Sequence, residues 1–174
     1  MRSSAIYSVA VRAARDLDPT LRTTLEAWFA EQFGHTSYQW APPSWYVVVW
    51  HEDVPVGRLG MVSRDICVGG TCVNVGGIAG VATRPEWHRR GIASRALRTA
   101  ADFIAHELGY PFALLLCRPE VSPVYAKLGW EVIDARTSFA QPRGSATYPH
   151  LTMILPLGNA AWPPGPINLR GLPW

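Results

Sequence analysis

Apolar and polar residues alternate from Tyr7 to Ala13, the period of a strand with one buried face. Asp18 followed by Pro19 then reads as a helix cap with proline at the first helical position, where a missing N–H costs nothing. Leu21, Leu25, Trp28, Phe29 and Phe33 recur at helical spacing until Gly34 stops the run. Residues 34–43, rich in aromatic residues, serine and proline, predict a loop with room for a short helix. Trp45 to His51 predicts a strand that turns at Glu52-Asp53 into a second, Pro55 to Cys67. Gly69-Gly70 is a two-residue hairpin signal leading into a third strand, Thr71 to Thr83. Gly76, Gly77 and Gly80 weaken that strand, as at a bulge or where a ligand comes close.

A helix follows from about Gly91 to Leu108, with Ile92, Leu97, Ala100, Ala101, Ile104 and Leu108 as its buried stripe and Gly109 as its stop. Phe112 to Cys117 is an apolar run suited to a central strand covered on both faces. Ser122-Pro123 reads as a cap and start for a helix of barely two turns, closed by Gly129. Strand-like runs lie near 130–137 and 148–155, and the proline-rich stretch 159–174 predicts an extended tail. The order β-α-β-β-β-α-β-α-β-β makes an α/β fold with a mixed sheet and helices on both faces, in a single domain over residues 1–174.

With 48% hydrophobic and 17% charged residues, the composition is that of an ordinary globular domain. The longest uncharged stretch, Ile66 to Thr83, holds many glycines and Asn74, too polar for a membrane span. The opening residues read as a strand rather than a secretory segment, so a cytoplasmic protein is expected. The hairpin would set Cys67 opposite Cys72; in a reducing compartment the two are expected as free thiols. Five histidines show no paired ligand spacing, so no metal is expected. The net charge of +3 does not by itself argue for nucleic acid. The basic residues are nevertheless concentrated: Arg84, Arg89, Arg90, Arg95 and Arg98 fall within fifteen positions.

That cluster surrounds the most informative segment, Val81 to Ser94. A strand ends, Pro85 breaks it, and a basic turn leads straight into an amphipathic helix. The first amides of such a helix have no intrahelical partner, and its dipole adds partial positive charge there. Gly91 and the small Ala93 let a phosphate come close to the backbone, so the turn suits a pyrophosphate.

At this point the sequence resembles the GCN5-related N-acetyltransferase superfamily. The family's acyl-CoA signature is Arg or Gln, two residues, Gly, one residue, then Gly or Ala. Here it reads His88-Arg89-Arg90-Gly91-Ile92-Ala93, with His at the first position. A second stretch, Tyr125-Ala126-Lys127-Leu128-Gly129-Trp130, is similar to the family's Tyr, three residues, Gly, aromatic pattern. The resemblance implies acetyl-CoA as acyl donor, with its pyrophosphate on His88, Arg89, Arg90, Gly91, Ile92, Ala93 and Ser94. It implies backbone pairing of the pantetheine arm along Val81, Ala82 and Thr83, with the Val81 N–H polarising the thioester carbonyl. It implies Tyr125 as the acid toward the departing thiolate. The acceptor implied is the primary amine of a small molecule, attacking directly in a ternary complex.

Many relatives carry a carboxylate on the strand before the turn, whereas Gly76-Gly77-Ile78-Ala79-Gly80 holds none. Glu31, Glu120, His35 and the terminal carboxylate at Trp174 are the remaining candidates for the base. The layout resembles two branches that acylate amino sugars, the aminoglycoside 2'-N-acetyltransferases and the nodulation N-acyltransferases. Trp40 and Trp45, in the expected acceptor loop, suggest instead an apolar or ring-shaped acceptor. Three readings stay open beside acetyl transfer: an acyl-CoA-binding protein without turnover, a transferase for a longer acyl chain, and a nucleic-acid module using the arginines. The last lacks aromatic residues interleaved with its charge, so no nucleic-acid partner is expected. A second copy of the chain remains an open partner.

Overall fold

A computed structural model of the chain describes residues 7–34 and 36–174. The elements in chain order are β1 (Tyr7–Ala13), α1 (Pro19–Phe33), β2 (Trp45–His51), β3 (Val54–Val68), β4 (Thr71–Thr83), α2 (Ile92–His106) and β5 (Phe112–Cys117). There follow α3 (Ser122–Ala126), β6 (Glu131–Ile133), β7 (Thr137–Gln141), β8 (Gly144–Thr147), β9 (Leu151–Pro156) and β10 (Ile167–Asn168). Asp18 caps α1 as the sequence suggests: its carboxylate accepts from the N–H groups of Thr20 and Leu21, an arrangement worth about 1 kcal/mol. Gly34, at φ 64°, ends the helix. Gly69 and Gly70, at φ 54° and 90°, take the two left-handed positions of a tight hairpin and set Cys67 opposite Cys72, both free thiols.

The strands form one mixed sheet in the order β6-β9-β5-β4-β3-β10-β7-β8, with β2 also on β3 and β1 on β2. The helix stripe Ile92, Ala96, Leu97, Ala100 and Ile104 is buried against Val47, Val49 and Met61. α1 buries Leu25 and Trp28 in a separate cluster with Tyr46, Val48 and Ala82. Neighbouring glycines of β4 serve opposite faces. A Cβ on Gly76 would lie 2.4 Å from Ile104 of α2, and one on Gly77 would lie 2.2 Å from the Trp174 ring. Both glycines therefore make room for core side chains, and neither marks a ligand.

Three local expectations differ from the structure. The run 130–137 is two strands, because β6 pairs with β9 whereas β7 pairs with β10 and β8 elsewhere in the sheet. The stretch 159–174 is not extended throughout: Ile167–Asn168 inserts as β10 between β3 and β7. Ser122 lies inside α3 and does not cap it. Its hydroxyl donates back to the Pro119 carbonyl at 2.8 Å, and a 3₁₀ turn, Pro119–Val121, precedes the helix.

Candidate active site

β4 and β5 pair in parallel only from Val75↔Phe112 to Ile78↔Leu115. Beyond that point β5 stays with β9 as far as Cys117↔Leu151, and β4 stays with β3. The two strands part, and the edge of β4 that faced β5 is left without a strand from Ala79 onward. In the same place β4 bulges. Arg58 pairs with Ala82 and Gly60 with Ala79, so Leu59 faces both Gly80 and Val81. Gly80 sits at φ 58°, and a Cβ there would fall 2.8 Å from the Phe29 ring, so conformation and space both require glycine.

After β4 a 3₁₀ turn, Pro85–Trp87, leads to Arg89 at φ 61° and Gly91 at φ 74°, the residue before α2. Left-handed residues two positions apart are the kind of backbone that turns successive N–H groups to one side. His88, Arg89, Arg90 and Gly91 are exposed, Ala93 and Ser94 are half-buried, and Ile92 is buried in the core. Among the described residues no protein acceptor takes the N–H of Ile92, Ala93 or Ser94. His88 Nε2–H donates to the Thr83 carbonyl at 2.9 Å and ties the turn to the strand end. The Thr83 carbonyl, one of the backbone groups that the resemblance gives to the pantetheine arm, is thereby engaged within the protein. Arg84 is likewise committed: its Nε–H donates to Pro55 O at 2.9 Å and its guanidinium covers the Trp28 ring. Arg90 lies over Trp87 and Arg95 over Tyr7.

Where β4 and β5 part, a cleft of about 850 Å³ opens, walled by α1, residues 36–43, β4, the end of β5 and α3. Val81, Tyr125, Trp40 and Trp174 line it together. The Trp174 indole N–H donates to Leu114 O at 3.2 Å, which fixes the ring as a buried part of the wall. Tyr125 is half-buried, its ring packed edge-on to Trp130. Burial, with Cys117 and Tyr148 beside it, pushes its pKa up to about 12. Burial likewise raises Tyr148 to about 12 and Cys117 to about 11.

Several sequence expectations need correction. Glu31 lies in a separate hollow with Arg84, Glu86 and His88, because it projects from α1 away from the cleft. Glu120 is exposed on its 3₁₀ turn and does not line the cleft. Trp45 starts β2 and packs on Phe103 of α2 at 5.6 Å, in the core and not in an acceptor loop. His35 lies outside the described residues. In their place the cleft gathers Glu26, Arg58, Tyr148 and His150. Arg58 had a visible signal, a lone charge within the apolar run Val56 to Val62; the others had none, since they come from separate elements.

The acetyltransferase (GNAT) domain family matches residues 20–133. No curated protein matches the chain. Among solved structures, YhbS of Escherichia coli, a GNAT family N-acetyltransferase in complex with CoA, aligns with a TM-score of 0.59 at 18% identity, covering 94% of this chain and 89% of that one. Escherichia coli ElaA aligns at 0.66 with 9% identity, over 86% of this chain and 99% of its own. FeeM, an N-acyl amino acid synthase from uncultured soil microbes, aligns at 0.59 with 12% identity, over 87% and 92%. At such identities these structures speak to the fold, and the family match covers most of the elements that build the cleft. With both in hand, the chain belongs to the GNAT family of acetyltransferases.

Proposed function

We propose that this acyltransferase moves an acetyl group from acetyl-CoA to the primary amine of a small molecule by direct attack in a ternary complex. The observation that carries the reading is the pair of open backbone features: the free edge of β4 at the bulge and the unpartnered N–H groups of Ile92, Ala93 and Ser94 at the exposed turn. The residues present fit the donor. The turn supplies N–H groups and flanking arginines for the pyrophosphate, and the parted strands leave a slot for an extended arm. When bound, acetyl-CoA supplies an activated acyl carbon and a thiol leaving group.

The protein's own groups then have distinct tasks. The Val81 N–H, beside the bulge, donates to the carbonyl oxygen as negative charge gathers there. The amine nitrogen forms the new C–N bond and sheds its second proton, and the C–S bond breaks with its electrons on sulfur. The sulfur takes up that proton to leave as the thiol, and Tyr125 O–H hydrogen-bonds to it as it departs. A phenol held near 12 is a weaker acid than a thiol by about 3 units, so Tyr125 acts by a strong hydrogen bond during bond breaking more than by finished proton delivery. Glu26 and His150, at the cleft, take the proton that the incoming ammonium must lose.

Thiol release from acetyl-CoA over a panel of amino acids, amino sugars, aminoglycosides and polyamines tests the activity. Tyr125→Phe is expected to lower kcat by about 100-fold with CoA affinity unchanged. Stoichiometric CoA binding with no thiol release for any amine would leave a binding protein instead. Equal rates for the two forms would remove Tyr125 from the chemistry.

A further inference from the structure

Among the described residues Arg58 is the only charged side chain that is buried, at 3% exposure. It projects from the first third of β3 into the cleft between the rings of Phe29 and Tyr46, 5.2 and 5.3 Å from their centroids. Its Nη1 donates to the Leu25 carbonyl at 3.1 Å, and its Nε has no partner. No described carboxylate reaches it within ion-pair distance. Glu26, the one acidic side chain lining the cleft, is exposed. Burial lowers the Arg58 pKa to about 10, with Tyr46 and Glu26 pulling it back up, so the guanidinium stays cationic at neutral pH.

A buried, unpaired cation is expensive to keep unless something supplies the opposite charge. The position of Arg58 says where that charge would lie. A Cβ on Gly80 would be 3.0 Å from Nη2, so the guanidinium borders the β4 bulge next to Val81. The anion it awaits is therefore close to the reacting carbon, within a few bonds of the attacking nitrogen. Of the other lining residues, Phe29, Phe33, Trp40, Tyr46 and Leu116 are apolar or aromatic. Gln32, Thr36, His150 and a second arginine, the exposed Arg118, are polar; of the two arginines only Arg58 is buried. A polycationic aminoglycoside suits neither the buried arginine nor a cleft with a single acidic side chain.

We propose that the acceptor is a primary amine with a carboxylate close to it and an apolar side chain, an α-amino acid of the leucine or phenylalanine kind, whose carboxylate pairs with Arg58. The proposal rests on the transferase reading of this cleft and names its substrate class. A planar guanidinium takes a carboxylate through two parallel N–H···O bonds, and out of water such a pair is strong. Glu26 is then left for the ammonium.

The test uses matched pairs that differ only by the carboxylate. With the protein saturated with CoA, calorimetry compares N-acetylphenylalanine with N-phenethylacetamide. Thiol release from acetyl-CoA compares phenylalanine with phenethylamine, with glucosamine as a third acceptor. A preference of about 100-fold for the acid is expected in both measurements, and Arg58→Met is expected to erase it. Equal or reversed preference in the unaltered protein, faster turnover of glucosamine, or a preference that survives in a folded Arg58→Met would overturn the assignment. Should that variant fail to fold, the matched pairs in the unaltered protein decide alone. Carboxylate-dependent binding without thiol release would sink the transferase reading and keep the Arg58 site. Thiol release indifferent to the carboxylate would do the reverse.

Discussion

On the proposed reading, the turn before α2 and the cleft beside β4 serve one reaction, and they are built from different materials. The turn is made of backbone: a proline break, two left-handed residues and three N–H groups without protein partners, all within ten positions of sequence. The cleft is made of side chains from α1, residues 36–43, β3, β5, α3 and the segment around Tyr148, brought together only when the sheet forms. Backbone sites demand particular residue types at fixed spacing, so they leave a local signature. Side-chain clefts demand only a net shape and charge, which many residue combinations meet. The first kind can serve one donor across many proteins, and the second is free to change acceptor.

The sharpest way to separate the two halves is Gly91→Val. A Cβ at Gly91 would meet nothing within 4 Å, so crowding is not the obstacle. The obstacle is φ 74°, where a β-branched residue is strained and drags the flanking amides out of line. We expect CoA affinity to fall about 20-fold by calorimetry, from a cost near 2 kcal/mol, with the acceptor KM little changed. Unchanged CoA affinity would show that the turn does not hold the pyrophosphate.

A smaller effect is expected on the other half from Glu26→Gln. If this carboxylate takes the ammonium proton, kcat/KM should drop about tenfold near pH 7 and recover toward pH 10, where the free amine needs no base. CoA affinity should not move. A loss of the same size at every pH would make Glu26 a binding group and hand the proton to His150.

The contrast also explains what the sequence disclosed. Asp18-Pro19, Gly69-Gly70 and Pro85 to Ala93 are local devices whose residues do their work on their neighbours, and each is legible as written. Arg58 shows in the sequence only as a lone charge in an apolar strand, and its meaning stays hidden because it depends on Phe29, Tyr46 and Gly80, all more than ten positions away. Ile167–Asn168 was unreadable for a related reason. Prolines around it argue against a strand, but an end of β3 beyond the reach of β2 offered hydrogen-bonding groups that a two-residue strand could take. Glu31 and Glu26 lie five positions apart on α1, and nothing in the sequence says which one faces the cleft.

The two walls of the cleft finally differ in how they respond to alkali, an effect of only a few degrees. On one wall Tyr125 and Tyr148, raised to about 12, and Cys117, raised to about 11, keep their protons in the folded state after the unfolded chain has lost them. Above pH 10 the unfolded state binds fewer protons at these groups, so each one lowers stability as pH rises. On the other wall Arg58, lowered to about 10, gives up its proton first in the folded state and works in the opposite direction. The whole protein reports the sum, so the informative measurement is a difference. For Tyr125 alone, the loss between pH 9 and 11 is about 1 kcal/mol, or about 3 °C in Tm for a chain of this size. Thermal melts of Tyr125→Phe should lack that share and fall less steeply over this range than those of the unaltered protein. Parallel curves would mean that the Tyr125 phenol meets water freely, and its hydrogen bond to a departing sulfur would then lose the dry setting that makes it strong.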